Sequence, residues 1–501
     1  MGIVESAGPG ARQDGAIARN ALSLAAGQAI STVLAVVASS LLGRGLGAAE
    51  FGLFFVVSSM AAFAYVVVEW GQSASVVREL AGRPERAPAL LGAAAASRVA
   101  LSVAMCLVTA AAAALLGYDA RTRGLAVLAV ALALPLSLAQ AWGLAFRGRE
   151  RMDYEATVTV AAKGLSVALI GLALAVGGGL VDVLLAQGLA GVGAFAVALW
   201  LGRRLGLARP SVDRGTLREL ATEGAPVLTM AVLVAAQPYL DAVVLSKLVS
   251  PVSMGRYAAA RNFMGALLTP AAILGAASYP ALSRAIDDPA RLTQVLRRVL
   301  RPLVAIGAFG ALGTFLFAGL AVRVVFGPAY APSADILRAF APVLLLFFVD
   351  MLLATVIMAA RRSRRLALAK LLNVALSTAL CWLLVPVCEA RWGNGGLGVV
   401  IAFGASEGVM LAAALLIVPA GTRGAGLLGE LGRAVAAGAG ALAAGWLPLR
   451  AHPAFQIPAT LVAFAALSAL LGLVRREDVE VLRASLRRRG PENSMNEASL
   501  G

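Results

Sequence analysis

The sequence predicts an all-α membrane protein of about fourteen transmembrane helices, arranged as two six-helix lobes plus two C-terminal helices. Three observations carry that expectation. Of the 501 residues, 60% are apolar and only 14% are charged, against about 25% charged in an ordinary soluble domain. The apolar residues gather into fourteen runs close to the roughly 20 residues that cross a bilayer as a helix. The basic residues, finally, sort onto alternate connectors. A net charge of +16 would in a soluble chain suggest nucleic acid. Aromatics make up only 6% of this chain and are not interleaved with basic patches, so the partner of that charge is the membrane and not nucleic acid.

The runs fall near residues 21–43, 51–73, 92–117, 124–146, 156–178, 180–202, 224–248, 255–280, 303–325, 335–360, 366–388, 397–419, 430–447 and 456–474. They divide the chain into a cytoplasmic N-terminus (1–20), an N-lobe of six spans (21–203), a cytoplasmic linker (204–223), a C-lobe of six spans (224–420), two further spans (421–474) and a cytoplasmic tail (475–501). Prolines within the runs, such as Pro135, Pro226, Pro238, Pro270, Pro342 and Pro386, are tolerated where neighbouring helices satisfy the freed carbonyls. They point to kinked helices around a cavity. Residues 1–20 are polar and Gly-rich, with no cleavable signal peptide expected.

Orientation follows from the connectors. Of the 43 basic residues, 30 lie on the side of the N-terminus and nine on the other: Arg44, Arg121, Arg123, Lys247, Arg256, Arg323, Arg338, Arg391 and Arg450. Both termini are therefore expected in the cytoplasm of a cell whose inner membrane holds the chain. Four basic residues, Arg98, Lys163, Arg261 and Lys370, remain inside spans.

An internal repeat points to transport. The segment LGRGLGAAEFGLF at 42–54 matches LSKLVSPVSMGRY at 245–257, pairing Gly52 with Gly255, and the arginine-rich turns 147–151 and 361–365 recur at a similar offset. Duplication of spans one to six as seven to twelve gives parallel halves, with a site expected between them near the midplane.

Other chemistries lack their residues. None of the three lysines follows a glycine, so no phosphate-binding P-loop exists. Cys106, Cys381 and Cys388 sit in apolar stretches without metal-ligand spacing, and no metal or cofactor is expected. The single histidine, His452, lies in the connector LRAHPAF. A membrane-embedded polymerase or ligase would need a large outer loop, yet no connector on that side exceeds roughly a dozen residues. The chain is accordingly read as a transporter and not an enzyme.

Ionisable groups inside spans cost about 2.5–3.5 kcal/mol each at a helix centre and mark pathways by default. Lys163 stands about two turns into its span, too deep to reach water easily, and Arg98 is in a similar position. Lys370 is only a turn into span eleven and has the option of snorkelling to the interface; Arg261 serves either as an interfacial anchor or in a cavity. Together the four would suit a phosphate or pyrophosphate, Arg as a bidentate fork and Lys as a point charge. The in-span acids are Glu69, Asp241, Asp350 and Glu407. Gln237 and Asp241, four apart, share a helix face and fit a cation or sugar-hydroxyl site, or a polar contact between helices. Asp350 and Glu407 are mid-span, where a carboxyl is either protonated or paired with a base. The loop 281–302 has Leu292, Val295 and Leu296 at helical spacing with arginines between. It reads as an interfacial helix facing anionic lipid, or as a plain basic connector.

SSLLGRGLGAAEFGLFFVVSSM followed by EWGQSASVVRELAG, and PVLTMAVLVAAQPYLDAVVLSKLVSPVSMGRYAAARNFMGALLTPAAILGAASYPALSR in the second half, resemble the polysaccharide-exporter flippases that move lipid-linked oligosaccharide. The resemblance rests on the turn after span one, on Gly255, Tyr257 and Ala260, and on Tyr279 to Ser283. It implies a MATE-like fold alternating between the two sides, and as substrate a polyprenyl-(pyro)phosphate-linked oligosaccharide for lipopolysaccharide or another surface polysaccharide. Arg98, Lys163, Arg261 and Lys370 would then hold the phosphates, with Gln237, Asp241, Asp350, Glu407 and Glu69 for ion coupling or sugar contacts. Membrane lipids, and polysaccharide polymerase or chain-length proteins, are the expected partners. Two relatives are alternatives. Lipid II flippases carry an arginine-rich first span, whereas the first span here has no charge. Ion-coupled multidrug exporters of the MATE type take mostly cationic drugs, which cavity cations repel.

Overall fold

The protein is described by a computed structural model covering residues 9–419, Thr422, 426–446 and 453–473; side chains are described for these except 9–25, Met230, 233–238, 445–446 and 453–455. The described residues form fourteen α-helices and no strand: α1 (Pro9–Glu69), α2 (Gln72–Gly82), α3 (Ala87–Leu115), α4 (Ala120–Gly148), α5 (Met152–Ala175), α6 (Leu180–Arg204), α7 (Arg214–Leu248), α8 (Pro251–Ala285), α9 (Pro289–Val325), α10 (Ser333–Ala359), α11 (Ser363–Trp392), α12 (Gly395–Ile417), α13 (Leu427–Trp446) and α14 (Pro453–Leu470). Eleven of them are long and apolar enough to cross a membrane, and the chain is a multi-pass membrane protein. Leu107, Leu115, Leu172 and Leu416 are 61–89% exposed, an arrangement that suits hydrocarbon and not water.

Every apolar run of the sequence falls on a helix, with four adjustments. The first two runs are two helical segments of α1 that meet at Gly47, whose non-helical φ of 75° is a left-handed value open to glycine at little cost. The arginine-rich connector after it contains α2. Helix α7 begins at Arg214, ten residues before its apolar run. The segment 281–302 is not a separate surface helix, because α9 is continuous from Pro289. Leu292, Leu296 and Leu300 are at most 1% exposed, so the stripe expected to face lipid is spent on internal packing. Arg301 there pairs with Glu430 at 3.3 Å.

Local chemistry sets the starts. Asp119 caps α4 by accepting from the Thr122 amide. Asp213 caps α7, accepting from the Thr216 amide at 2.7 Å and its hydroxyl at 2.8 Å, which satisfies donors that the first turn leaves free. Those bonds hold the Asp213 carboxyl below the usual carboxylate range.

The residues divide into two units. The first lies within Met1–Asn262, Ala321–Ser333 and Ser377–Val399. One of its cores gathers Leu80, Leu90, Leu91, Trp142, Phe146 and Leu201; another gathers Val57, Leu125, Val130, Leu180 and Leu184. The second unit lies within Phe263–Leu320, Ala334–Leu376 and Val400–Gly501. Its centre is α10, whose Phe340, Leu344, Phe348, Leu352 and Val356 recur every four residues at no more than 2% exposure. Its opposite side is buried too, as expected of a helix apolar all round.

Two close approaches in the first unit join α1 to helices of the second repeat. At the end of α1 that leads into α2, a Cβ on Gly224 would stand 2.1 Å from the Trp70 carbonyl oxygen, and one on Gly71 would stand 2.6 Å from the Gly224 carbonyl oxygen. Trp70 is held in a left-handed conformation, φ 50°, while its indole donates to the Ala221 carbonyl at 2.9 Å. Ion pairs surround this seam: Arg78–Glu223 at 2.8 Å, and Arg86 reaching both Glu79 at 2.9 Å and Glu219 at 2.6 Å. At the other end of the α1 segment that follows the Gly47 bend, a Cβ on Gly255 would lie 1.9 Å from the Ala48 carbonyl oxygen, and one on Gly52 2.5 Å from that of Pro251. The glycines matched in the sequence repeat thus meet each other. Tyr118 and Ser246 share a hydrogen bond of 2.6 Å beside them, with the Lys247 ammonium 3.3 Å above the Tyr118 ring.

Hydrogen bonding from Arg86 holds Glu219 below the ordinary carboxylate range. A carboxyl lowered in the folded state stabilises it above the unfolded value, about 4.3 for Glu, and that contribution disappears as pH falls through the folded value. Both side chains are partly exposed, which limits the pair to at most about 1 kcal/mol. Glu219→Gln should lower the melting temperature in detergent by about 1–2 °C at pH 7, with the difference from wild type persisting to the unfolded value and disappearing only as pH falls through the lowered folded value.

Candidate functional site

A cavity of about 760 Å³ lies within the first unit, lined from α1, α2, α3, α4, α5, α6 and α7. Small residues let its walls close. Gly188 and Gly191 on α6 bring that helix against Leu132, Pro135 and Leu136 of α4, leaving only 2.8–3.5 Å for a Cβ, the packing by small residues usual in membranes. The polar side chains on the wall include Tyr65, Glu69, Arg98, Gln140, Lys163 and Gln187. The lining runs from Ser58 and Ser166 toward Ser73, Arg147 and Glu155, so its polar end is the one nearest α2.

Arg98 is 2% exposed and is fixed by α4: its guanidinium donates to the Ser137 carbonyl and, at 3.0 Å, to the Ser137 hydroxyl. Its Nε has no acceptor, an unmet donor of a buried cation. Tyr65 braces the same wall, donating to the Val130 carbonyl at 3.2 Å, and both Tyr65 and Glu69 lie close enough to interact with the Arg98 charge. Lys163 on α5 is exposed to the cavity and has no ion-pair partner among the described residues. Arg147 and Glu155, by contrast, neutralise each other, with Arg147 Nε 3.0 Å from Glu155 Oε2.

The wall therefore carries three cations and two carboxylates, one positive charge in excess. Such a cavity attracts anions, and its amides and hydroxyls can exchange hydrogen bonds with a polyol. Among the described residues no group of three His, Cys, Asp or Glu is placed to hold a metal.

Of the residues singled out in the sequence, Arg98, Lys163 and Glu69 are brought together here. Arg261 is outside the lining; its charge acts on Asp241, which is 3% exposed with Oδ2 unpartnered. The side chain of Gln237 lies outside the described residues. Lys370, Asp350 and Glu407 belong to the second unit, where Lys370 Nζ donates to Asp350 Oδ2 at 2.5 Å. Lys370 is thus compensated by a carboxylate on the neighbouring helix, and is neither a snorkelling residue nor an unpaired cation. Reading charge alone missed Gln140, Gln187 and Tyr65. The two glutamines had a visible signal, since each is a lone amide within an apolar run (LAQAW, LAQGL).

Eleven apolar helices long enough to cross a membrane, with a polar cavity among those of the first unit, define a polytopic all-α membrane protein. The family model described as "Polysaccharide biosynthesis protein" matches residues 17–286, over half of the chain, and the protein belongs to that family. No curated protein sequence matches the chain. Among solved structures, the fold is similar to the lipid II flippase MurJ in an inward closed conformation, at 13% identity and TM-score 0.70, covering 89% of this chain and 98% of that one. A multidrug resistance MATE family transporter of the MOP superfamily, inward-facing, is similar at 15% identity and TM-score 0.61 over 79% and 95% of the two chains. A MOP superfamily transporter from Pyrococcus furiosus, whose structure is described by the reverse polarity of its binding pocket, is similar at 16% identity and TM-score 0.57 over 82% and 96%.

Proposed function

We propose that the protein is a flippase that carries a polyprenyl-(pyro)phosphate-linked oligosaccharide across the inner membrane for surface polysaccharide biosynthesis. The observation that carries this reading is a cavity with one positive charge in excess, lined by the buried Arg98 and by Lys163, which has no ion-pair partner among the described residues. In a site of low dielectric that excess favours a phosphate, while Gln140, Gln187 and the wall hydroxyls serve the sugars. The lipid tail stays in the bilayer as the headgroup crosses. Family membership supports the biosynthetic setting.

Both termini are cytoplasmic in this reading, so the α2 end of the cavity faces the cytoplasm and the Gly52–Gly255 seam faces outward. The two lobes, 21–203 and 224–420, would move against each other, opening one glycine seam while the other stays shut. Polymerase or chain-length proteins would take up the product outside.

Deleting the gene tests the proposal. Lipid-linked intermediates should accumulate in the cytoplasmic leaflet, with loss of a surface glycan that wild type restores and Lys163→Gln, at equal protein level, does not. An unchanged glycan with raised drug sensitivity would place the protein among drug exporters instead.

A further inference from the structure

We propose that Asp350, Lys370 and Glu407 form a proton-binding site in the second unit, holding one proton on Glu407. The three groups come from α10, α11 and α12, each long and apolar enough to span the membrane. They are separate from the cavity that the functional reading uses. Asp350 is 3% exposed and Glu407 0%.

Charge counting requires the proton. Lys370 donates to Asp350 at 2.5 Å, and one ammonium compensates one carboxylate. Glu407 has no cation of its own; its donor is the neutral Asn373, whose amide reaches Oε2 at 3.4 Å. Were Glu407 ionised as well, a fully buried negative charge would stand uncompensated in a membrane, which is strongly unfavourable. Asp350 Oδ1, Glu407 Oε1 and Asn373 Oδ1 are all buried without a partner. These are unfilled acceptors facing a site with too few protons, and a hydrogen on Glu407 supplies the missing donor.

The arrangement is therefore neutral: the Lys370 ammonium donates to the Asp350 carboxylate, and Glu407 carries its own proton. Among the described residues, Glu407 has no ion-pair partner, and Lys370 is paired with Asp350. Releasing the proton to water turns Glu407 into a carboxylate and leaves the triad one net negative charge. The site then has to hydrate or part, so its proton occupancy is tied to the packing of α10, α11 and α12.

Infrared spectroscopy of the purified full-length protein at pH 7 tests this without any transport assay, so its outcome is independent of what the cavity carries. Protein labelled with ¹³C-carboxyl glutamate should show a protonated-carboxyl C=O band that shifts with the label, equal to one glutamic acid per chain. The isosteric Glu407→Gln should abolish that band. Lys370→Met should add a second carboxyl that the glutamate label does not shift, because Asp350 then loses its counter-ion. The proposal is overturned if the folded native chain has no label-sensitive protonated carboxyl at pH 7, or if the band survives in Glu407→Gln. The label experiment needs no variant, so a substitution that fails to fold leaves the test intact.

Discussion

Gly255→Ala and Gly224→Ala should each stop export while leaving the cavity open to opposite sides of the membrane. A β-carbon at Gly255 would sit 1.9 Å from the Ala48 carbonyl oxygen, and one at Gly224 2.1 Å from that of Trp70. Real carbons do not approach backbone oxygens so closely, and neither oxygen is on a flexible side chain that can swing away. Overpacking of this kind costs about 1–3 kcal/mol or more, enough to shift a two-state equilibrium by one to two orders of magnitude. Each methyl acts only on the conformation in which its own seam is shut. A single reporter reads the outcome: Ser166→Cys, on the cavity wall, in a chain whose three cysteines are replaced. Gly255→Ala should raise labelling by an impermeant thiol reagent added from outside at least tenfold, and Gly224→Ala should do so from the cytoplasmic side. Unchanged labelling and normal export in both would mean that the seams never open.

Lys163→Glu should lower export at least about 100-fold at normal protein level, with Lys163→Arg retaining most of it. The substitution turns one excess positive charge on the wall into one excess negative charge. A hydrogen bond to a charged group is worth about 1.5–3 kcal/mol, or roughly ten- to a hundredfold in affinity, and repulsion adds to its loss. Because Lys163 has no ion-pair partner among the described residues, its removal orphans no carboxylate. The effect should therefore appear in export and not in the melting temperature. The converse holds for Arg98, whose bonds to Ser137 make its replacement costly to folding as well.

The helices were legible because membrane spans are written in composition: twenty apolar residues between basic connectors admit few other structures. The break at Gly47 falls in the connector read between the first two runs, where a glycine at φ 75° separates two helical segments. The stripe at Leu292 and Leu296 misled. An amphipathic face looks the same whether lipid or protein covers it, and here protein does. Within the site, single charges in apolar runs marked Arg98, Lys163 and Glu69. What one-dimensional reading could not supply was the pairing: among the described residues Lys163 has no ion-pair partner, whereas Lys370 has one because Asp350 lies opposite on α10. Gly52 and Gly255, paired in the sequence repeat, lie against each other in the fold.

Reconstitution tests the central claim most directly. Purified protein in vesicles carrying a labelled polyprenyl-pyrophosphate oligosaccharide is assayed for the fraction of headgroups protected from an external glycosidase. Wild type should move the headgroup between leaflets, Lys163→Glu should not, and an uncharged polyprenyl glycoside of the same sugar should remain where it was placed. Equal protection with and without the protein, or equal rates for wild type and Lys163→Glu, would contradict a cationic cavity that carries a phosphate.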